Sequence, residues 1–231
     1  MEKYKIVKRD FIIHKGKKLY RIKALRDLFA NNRDVSEGDL GGYVEGYHNL
    51  SQEGDCWIYD DAKVYGNAIV EGDAFVCQDA EVYGNARVRG RAQLHDFSQL
   101  FGNARIDCGV TLYGHAKVYG NAVLNHYADC YEDSKVFGNV VMWSSPVLKG
   151  YAVICDNVVI WAKGAAISGL SKVSGNSEIL SKAYVSGCSH VCDNTVIKNW
   201  MCDLDVVSSN IICNTRLHIS LHHCDLNDVI P

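Results

Sequence analysis

The feature that most constrains this chain is a six-residue repeat that holds register over most of its length. Written in sixes from Cys56, the first position is Ala at 62, 68, 74, 80, 86, 92, 104, 116, 122, 128 and 152. The third position is aliphatic from Ile58 through Val64, Val70, Val76, Val82 and Val88 to Ile160, with Cys130 the one departure. Eighteen consecutive hexads pass without an insertion. After one extra residue the column resumes at Ile167, Val173, Ile179, Val185, Val191 and Ile197. Repeats of this kind decide the fold before any other signal.

A period of 18 lies on top. Tyr65-Gly66-Asn67, Tyr83-Gly84-Asn85, Phe101-Gly102-Asn103, Tyr119-Gly120-Asn121 and Phe137-Gly138-Asn139 recur at that spacing. The asparagine column runs from Asn49 to Asn157 and on through Asn176, Asn194 and Asn214. Three hexads therefore make a coil. Ala and the aliphatic residue are two apart, so in extended chain both face inward. A small residue beside a bulky one lets three walls meet without overpacking. Gly-Asn turns the corner, and stacked asparagines can hydrogen-bond from coil to coil. A period of two inside six excludes a helix.

The expected fold is all-β: a parallel β-helix of about ten 18-residue coils. Parallel crossovers are generally right-handed. The pattern aliphatic-x-x-x-small-x, as in Val64-Tyr65-Gly66-Asn67-Ala68-Ile69, resembles instead the left-handed hexapeptide class. Residues 1–46 read as a basic β cap, with a hairpin of Phe11–Ile13 and Leu19–Ile22, because an open first coil would expose its core and edge. Residues 47–231 form the β-helix, regular to about 197 and irregular over 198–231.

Charge is uneven. Residues 1–33 hold eleven Lys/Arg against three Asp/Glu, and the rest of the chain is acidic. Lys and Arg alternate with apolar residues, so this basic arm is expected to dock on the acidic coils of its own chain or of a neighbour, not on nucleic acid. The start lacks the apolar core of a signal peptide, and no run has the ~18 apolar residues of a membrane helix. A cytoplasmic location is expected, with the ten cysteines as reduced thiols. Cys188-x-His190-x-Cys192 and the His218–Cys224 group lack the spacing of a zinc module, so no metal is expected. Phosphate-binding loops, dinucleotide fingerprints and nucleophile elbows are absent from the sequence.

The stretch Val35-Ser-Glu-Gly-Asp-Leu-Gly-Gly-Tyr-Val44, followed by Asn49-Leu-Ser-Gln-Glu-Gly-Asp-Cys-Trp-Ile-Tyr-Asp60, resembles the junction before the first coil in YdcK-type hexapeptide-repeat proteins. Related short chains occur in phage and prophage genomes. The resemblance implies a putative-transferase label, a homotrimer, acyl-CoA as the one co-substrate, no bound cofactor, and a histidine base in a cleft between subunits. His95, His115 and His126, in the most regular coils, are the candidates for that base. His95 follows core Leu94 and is expected to point outward, with His115 and His126 at or near corners. Against catalysis, the coils lack the long loop with which enzymes of this fold clasp a partner subunit, and fold alone does not assign function.

The outer surface carries a stronger signal. Tyr65, Tyr83, Phe101, Tyr119 and Phe137 form an outward aromatic stripe with spacing of about 5 Å. Farther on, outward positions turn apolar at Val141, Trp143, Val147, Val153, Val159 and Trp161, which marks a protein interface. The leading expectation is a binding or scaffold protein that self-associates, with a further protein partner as an option. The alternatives are a trimeric acyltransferase, or capture of a small nucleotide or host protein.

Overall fold

The computed structural model describes residues 2–30, 33–180 and 182–198, with the backbone of short strands at Cys202–Asp203, Val206–Val207, Ile212–Cys213 and Leu217–His218. These fall into two compact units, residues 1–120 and 121–231. Among the described residues there is no α-helix, and none long and apolar enough to cross a membrane. The chain is a parallel β-helix of the left-handed hexapeptide type with about nine 18-residue turns. Ten were expected because Asn49 was counted as a coil. It sits instead in a 3-10 turn, Tyr47–Asn49, that leads into the first one.

In the first unit three walls grow by parallel, in-register pairing. One stacks Val44, Val64, Val82, Leu100 and Val118. The second stacks Val70, Val88 and Ile106. The third stacks Ile58, Val76, Leu94 and Leu112. These aliphatics and the Ala column are fully buried, so the core is a narrow prism filled by alternate small and large side chains. Gly84 shows why the corner needs glycine. It has φ +73°, and a Cβ there would lie 3.0 Å from the Gly102 amide nitrogen. The asparagine after each such glycine keeps negative φ and serves the ladder instead: Asn67 Nδ2 donates to Asn85 Oδ1 (3.0 Å), and Asn85 Nδ2 to Asn103 Oδ1 (2.9 Å).

The cap is a sheet. Strands β1 (Tyr4–His14) and β2 (Lys17–Ala24) form an antiparallel hairpin, longer at both ends than expected, with a register shift between Val7 and Phe11. β2 pairs antiparallel with β5 (Leu40–Val44), and β5 pairs parallel with Lys63–Val64 of the first coil. The switch of direction happens within β5, so the edge of one coil wall is covered by its own chain. A second hairpin, β3 (Leu28–Ala30) with β4 (Arg33–Val35), was not expected. Basic side chains of the cap meet acidic ones of the same unit: Lys15–Glu81 (2.7 Å), Lys17–Glu45 (2.7 Å), Arg21–Asp61 (3.1 Å) and Arg26–Asp55 (3.3 Å). Each exposed pair adds ~0–1 kcal/mol, so their effect is orientation more than stability.

The second unit repeats the three walls. One stacks Leu124, Met142, Ile160, Ile179 and Ile197; another Cys130, Leu148, Ile167 and Val185; the third Val136, Ile154, Val173 and Val191. The extra residue before Ile167 is absorbed, because Leu148 pairs with Ile167 and Asn157 Nδ2 still reaches Asn176 Oδ1 at 2.9 Å. Cys56, Cys77, Cys108, Cys130, Cys155 and Cys192 are free thiols, whereas Cys188, expected reduced, is disulfide-bonded. Asn214, most of 198–231, and His222 to Cys224 lie outside the described residues.

Candidate functional site: an aromatic outer face

In an 18-residue coil, residues 18 apart share a wall and residues six apart do not. This separates the apolar positions expected to form one face. Val123, Val141 and Val159 lie side by side on a single wall of the second unit, all half-buried. Trp143 and Trp161 extend the same strands and pair with each other. Val147 instead sits between Asp129 and Ala166, and Val153 between Lys135 and Lys172, each on a different wall. The expected surface is therefore split over three walls. Only Val141, Val159, Trp143 and Trp161 come together.

That wall ends in a ring stack whose outer members, His126 and Trp161, are exposed and whose middle ring, Trp143, is half-buried. His126 stacks on Trp143 (centroids 5.0 Å apart), and Trp143 on Trp161 (5.9 Å). Trp161 is 61% exposed, Tyr127 at the corner 60%, and Leu180 39%. Singly exposed side chains are ordinary, but a contiguous apolar patch marks an interaction site. The corner itself is strained. His126, Tyr127, Ser144 and Ser145 all have φ between 53° and 70°. Each costs roughly 1 kcal/mol without a glycine. Ser145 steadies the turn, its amide (2.8 Å) and hydroxyl (3.1 Å) both donating to the His126 carbonyl. Paired left-handed residues on adjacent coils turn His126 and Tyr127 outward. Tyr127, Val123 and Leu180 were missed in the sequence, though an 18-residue step from Val141 reaches Val123.

In the first unit, Tyr65, Tyr83, Phe101 and Tyr119 stack as expected, with centroids 5.2, 4.8 and 4.7 Å apart and planes within 4°. The head of this ladder is not free. Leu19, Ile12 and Tyr43 pack on Tyr65, and the Lys15 ammonium lies 5.0 Å from the Tyr83 ring centroid. Burial, and then the bond that Tyr65 Oη donates to Glu81 Oε2 at 2.8 Å, pushes its phenol far up. Phe101 and Tyr119 remain half-buried. Phe137, half-buried, belongs to the second unit.

The histidines are not gathered. His95 does lie outside the core column but is buried, not free in solvent. Its Nδ1 is 3.2 Å from Cys77 Sγ and its Nε2 3.2 Å from Gln93 Oε1, with Tyr113 stacked at 4.2 Å and Phe75 edge-on at 5.2 Å. Arg33, from the unexpected β3–β4 hairpin, lies over Phe75 and Tyr59. Burial, then the Arg33 charge, lowers the His95 pKa, and burial raises the Cys77 thiol to about 11. Both groups are held neutral, which is a packed pair and not an activated nucleophile. His115 stacks on exposed Phe97 at 5.1 Å, at a corner as expected. His126 is in the second unit.

Near His95 a groove of about 310 Å³ is lined by Asp60, Asp61, Gln78, Asp79, Asp96 and Phe97. Its carboxylates are partly spent on the coil. Asp60 accepts from the Gln78 amide (3.0 Å), and Asp96 from Gln78 Nε2 (2.8 Å) and the Gly114 amide (2.9 Å). Among the described residues no three His, Cys, Asp or Glu are placed to hold a metal. Comparison of the sequence with protein-family models and with curated proteins gives no match. The class stands on the fold: a hexapeptide-repeat β-helix.

Proposed function

We propose that the protein is a β-helical scaffold that self-associates through the wall bearing Val123, Val141, Val159, Trp143 and Trp161. The observation that carries this is the His126–Trp143–Trp161 stack, exposed at its two ends, beside an aliphatic wall and on a corner held in strained backbone. A second copy suits it because coil rise fixes the spacing of apolar rows. The same rows on another copy match at every step, and a like-with-like patch closes an assembly. Acyl transfer, implied by the YdcK-type resemblance, would need a histidine with a ring nitrogen free to face a ligand. His95 has both nitrogens engaged. Calorimetric titration with acyl-CoA tests that alternative directly.

The test is assembly mass by light scattering over a range of concentrations. Wild type is expected above monomer mass, and V141D/V159D at monomer mass with an unchanged β-sheet circular dichroism spectrum. The pair V147D/V153D, on other walls, is expected to assemble like wild type. A monomeric wild type, or a folded V141D/V159D of unchanged mass, refutes the proposal.

A further inference from the structure

Lys3 is buried completely, although nothing in the repeat anticipates it. Its ammonium nitrogen reaches the open end of the first coil. There it is 3.0 Å from the Cys56 carbonyl oxygen, 3.0 Å from Cys56 Sγ and 3.4 Å from the Glu53 carbonyl oxygen. The Lys3 amide donates to Gln52 Oε1 at 2.8 Å, which fixes the strand start over this end. Cys56 occupies the first position of the first hexad, where later coils carry Ala. It too is fully buried. An amine and a thiol thus share one closed site, with Nζ and Sγ in hydrogen-bond contact.

We propose that Lys3 and Cys56 form a peroxide-driven covalent S–N link that fastens the N-terminal strand to the first coil. In the first step Sγ attacks the peroxide O–O bond. An S–O bond forms, the O–O bond breaks, and water leaves, so that sulfur is oxidised and peroxide reduced to a sulfenic acid and water. In the second step the Lys3 nitrogen lone pair attacks Sγ. The S–N bond forms, the S–O bond breaks, and the departing hydroxide takes the amine proton to leave as a second water. Backbone nitrogen captures sulfenic acids in the same way, and a held amine has a large effective-concentration advantage over solvent thiols. Burial pushes the Lys3 amine down and the Cys56 thiol up. The closed site therefore holds the thiol unreactive, so the attack on peroxide belongs to an opened state in which the thiol ionises, and capture by the amine follows on reclosure. Opening requires only that the start of β1 lift from the coil end, a local opening short of unfolding.

The experiment treats the full chain with hydrogen peroxide, blocks remaining thiols under denaturing conditions, and maps peptides by mass spectrometry. The expected product joins the peptide of Lys3 to that of Cys56, two hydrogens lighter than their sum. Dithiothreitol should release it. It should be lost in K3M and in C56A, the latter placing in the column the residue that most coils use. Failure of K3M to fold leaves the wild-type map decisive. Cys56 still open to alkylation after peroxide, or carrying only sulfinic or sulfonic acid with Lys3 unmodified, overturns the proposal.

Discussion

Asn49 and Asn85 occupy the same sequence column but should differ several-fold in what they contribute. Asn85 is exposed and makes two ladder bonds, accepting from Asn67 (3.0 Å) and donating to Asn103 (2.9 Å). In N85A both partners turn to water, and the loss should be about 1 kcal/mol, the net value of an ordinary hydrogen bond or two in solvent. Asn49 is fully buried. Its Nδ2 donates to the carbonyls of Gly66 (3.0 Å) and Ala68 (2.9 Å), and its Oδ1 accepts from the amides of Glu45 (3.1 Å) and Gly46 (2.9 Å). Among the described residues no earlier coil supplies backbone donors there, and a side chain does so instead. In N49A the Ala68 carbonyl and the Gly46 amide lose their partner, while the Glu45 amide keeps the Val64 carbonyl (3.3 Å). At ~1–3 kcal/mol for each buried group left unpaired, with His48 still serving Gly66, the cost should be about 3–5 kcal/mol. Urea unfolding of the two variants and wild type, followed by circular dichroism, gives the comparison. Equal midpoint shifts would refute the idea that Asn49 replaces a missing coil.

Ser98 stands where most coils have Ala, and its buried hydroxyl lacks a partner. S98A should therefore raise stability by about 1 kcal/mol, whereas S177A, which loses a 2.7 Å bond to the Ser174 carbonyl, should not. G84A should cost at least ~1–2 kcal/mol for left-handed backbone, plus the displacement of Gly102, measured as a lowered melting temperature. Burial and then Arg33 hold His95 below its ordinary value of 6.5. Between that pH and its lowered folded value, the unfolded chain binds a proton that the fold refuses. Its contribution is therefore harmless above about pH 6.5 and destabilising as pH falls, and H95F should flatten that acid limb in pH-dependent melting.

The inward columns were legible because they repeat, and a repeated apolar position 18 residues apart can only be core or ladder. The stacked rings of Tyr65 to Tyr119 and the asparagine ladder follow for the same reason. What escaped was everything that happens once. Lys3 plugs the coil end from more than fifty residues away, and Asn49 looks like its column while acting differently. Cys77 and His95 are one coil apart, so an 18-residue search among outward positions would have paired them. Arg33 over Phe75 depends on a hairpin of three-residue strands, too short to leave a pattern. Val147 and Val153 were grouped with Val141 by composition, when counting by coil assigns them to other walls.

The turn from Trp161 to Ala166 holds one residue more than its counterparts, yet the strands on either side keep register and the asparagine bond across it is 2.9 Å. Length added there is taken up outside the prism. This corner is therefore a permissive graft point. A peptide inserted between Lys163 and Gly164 would be displayed next to Trp161 without disturbing the coils that carry it.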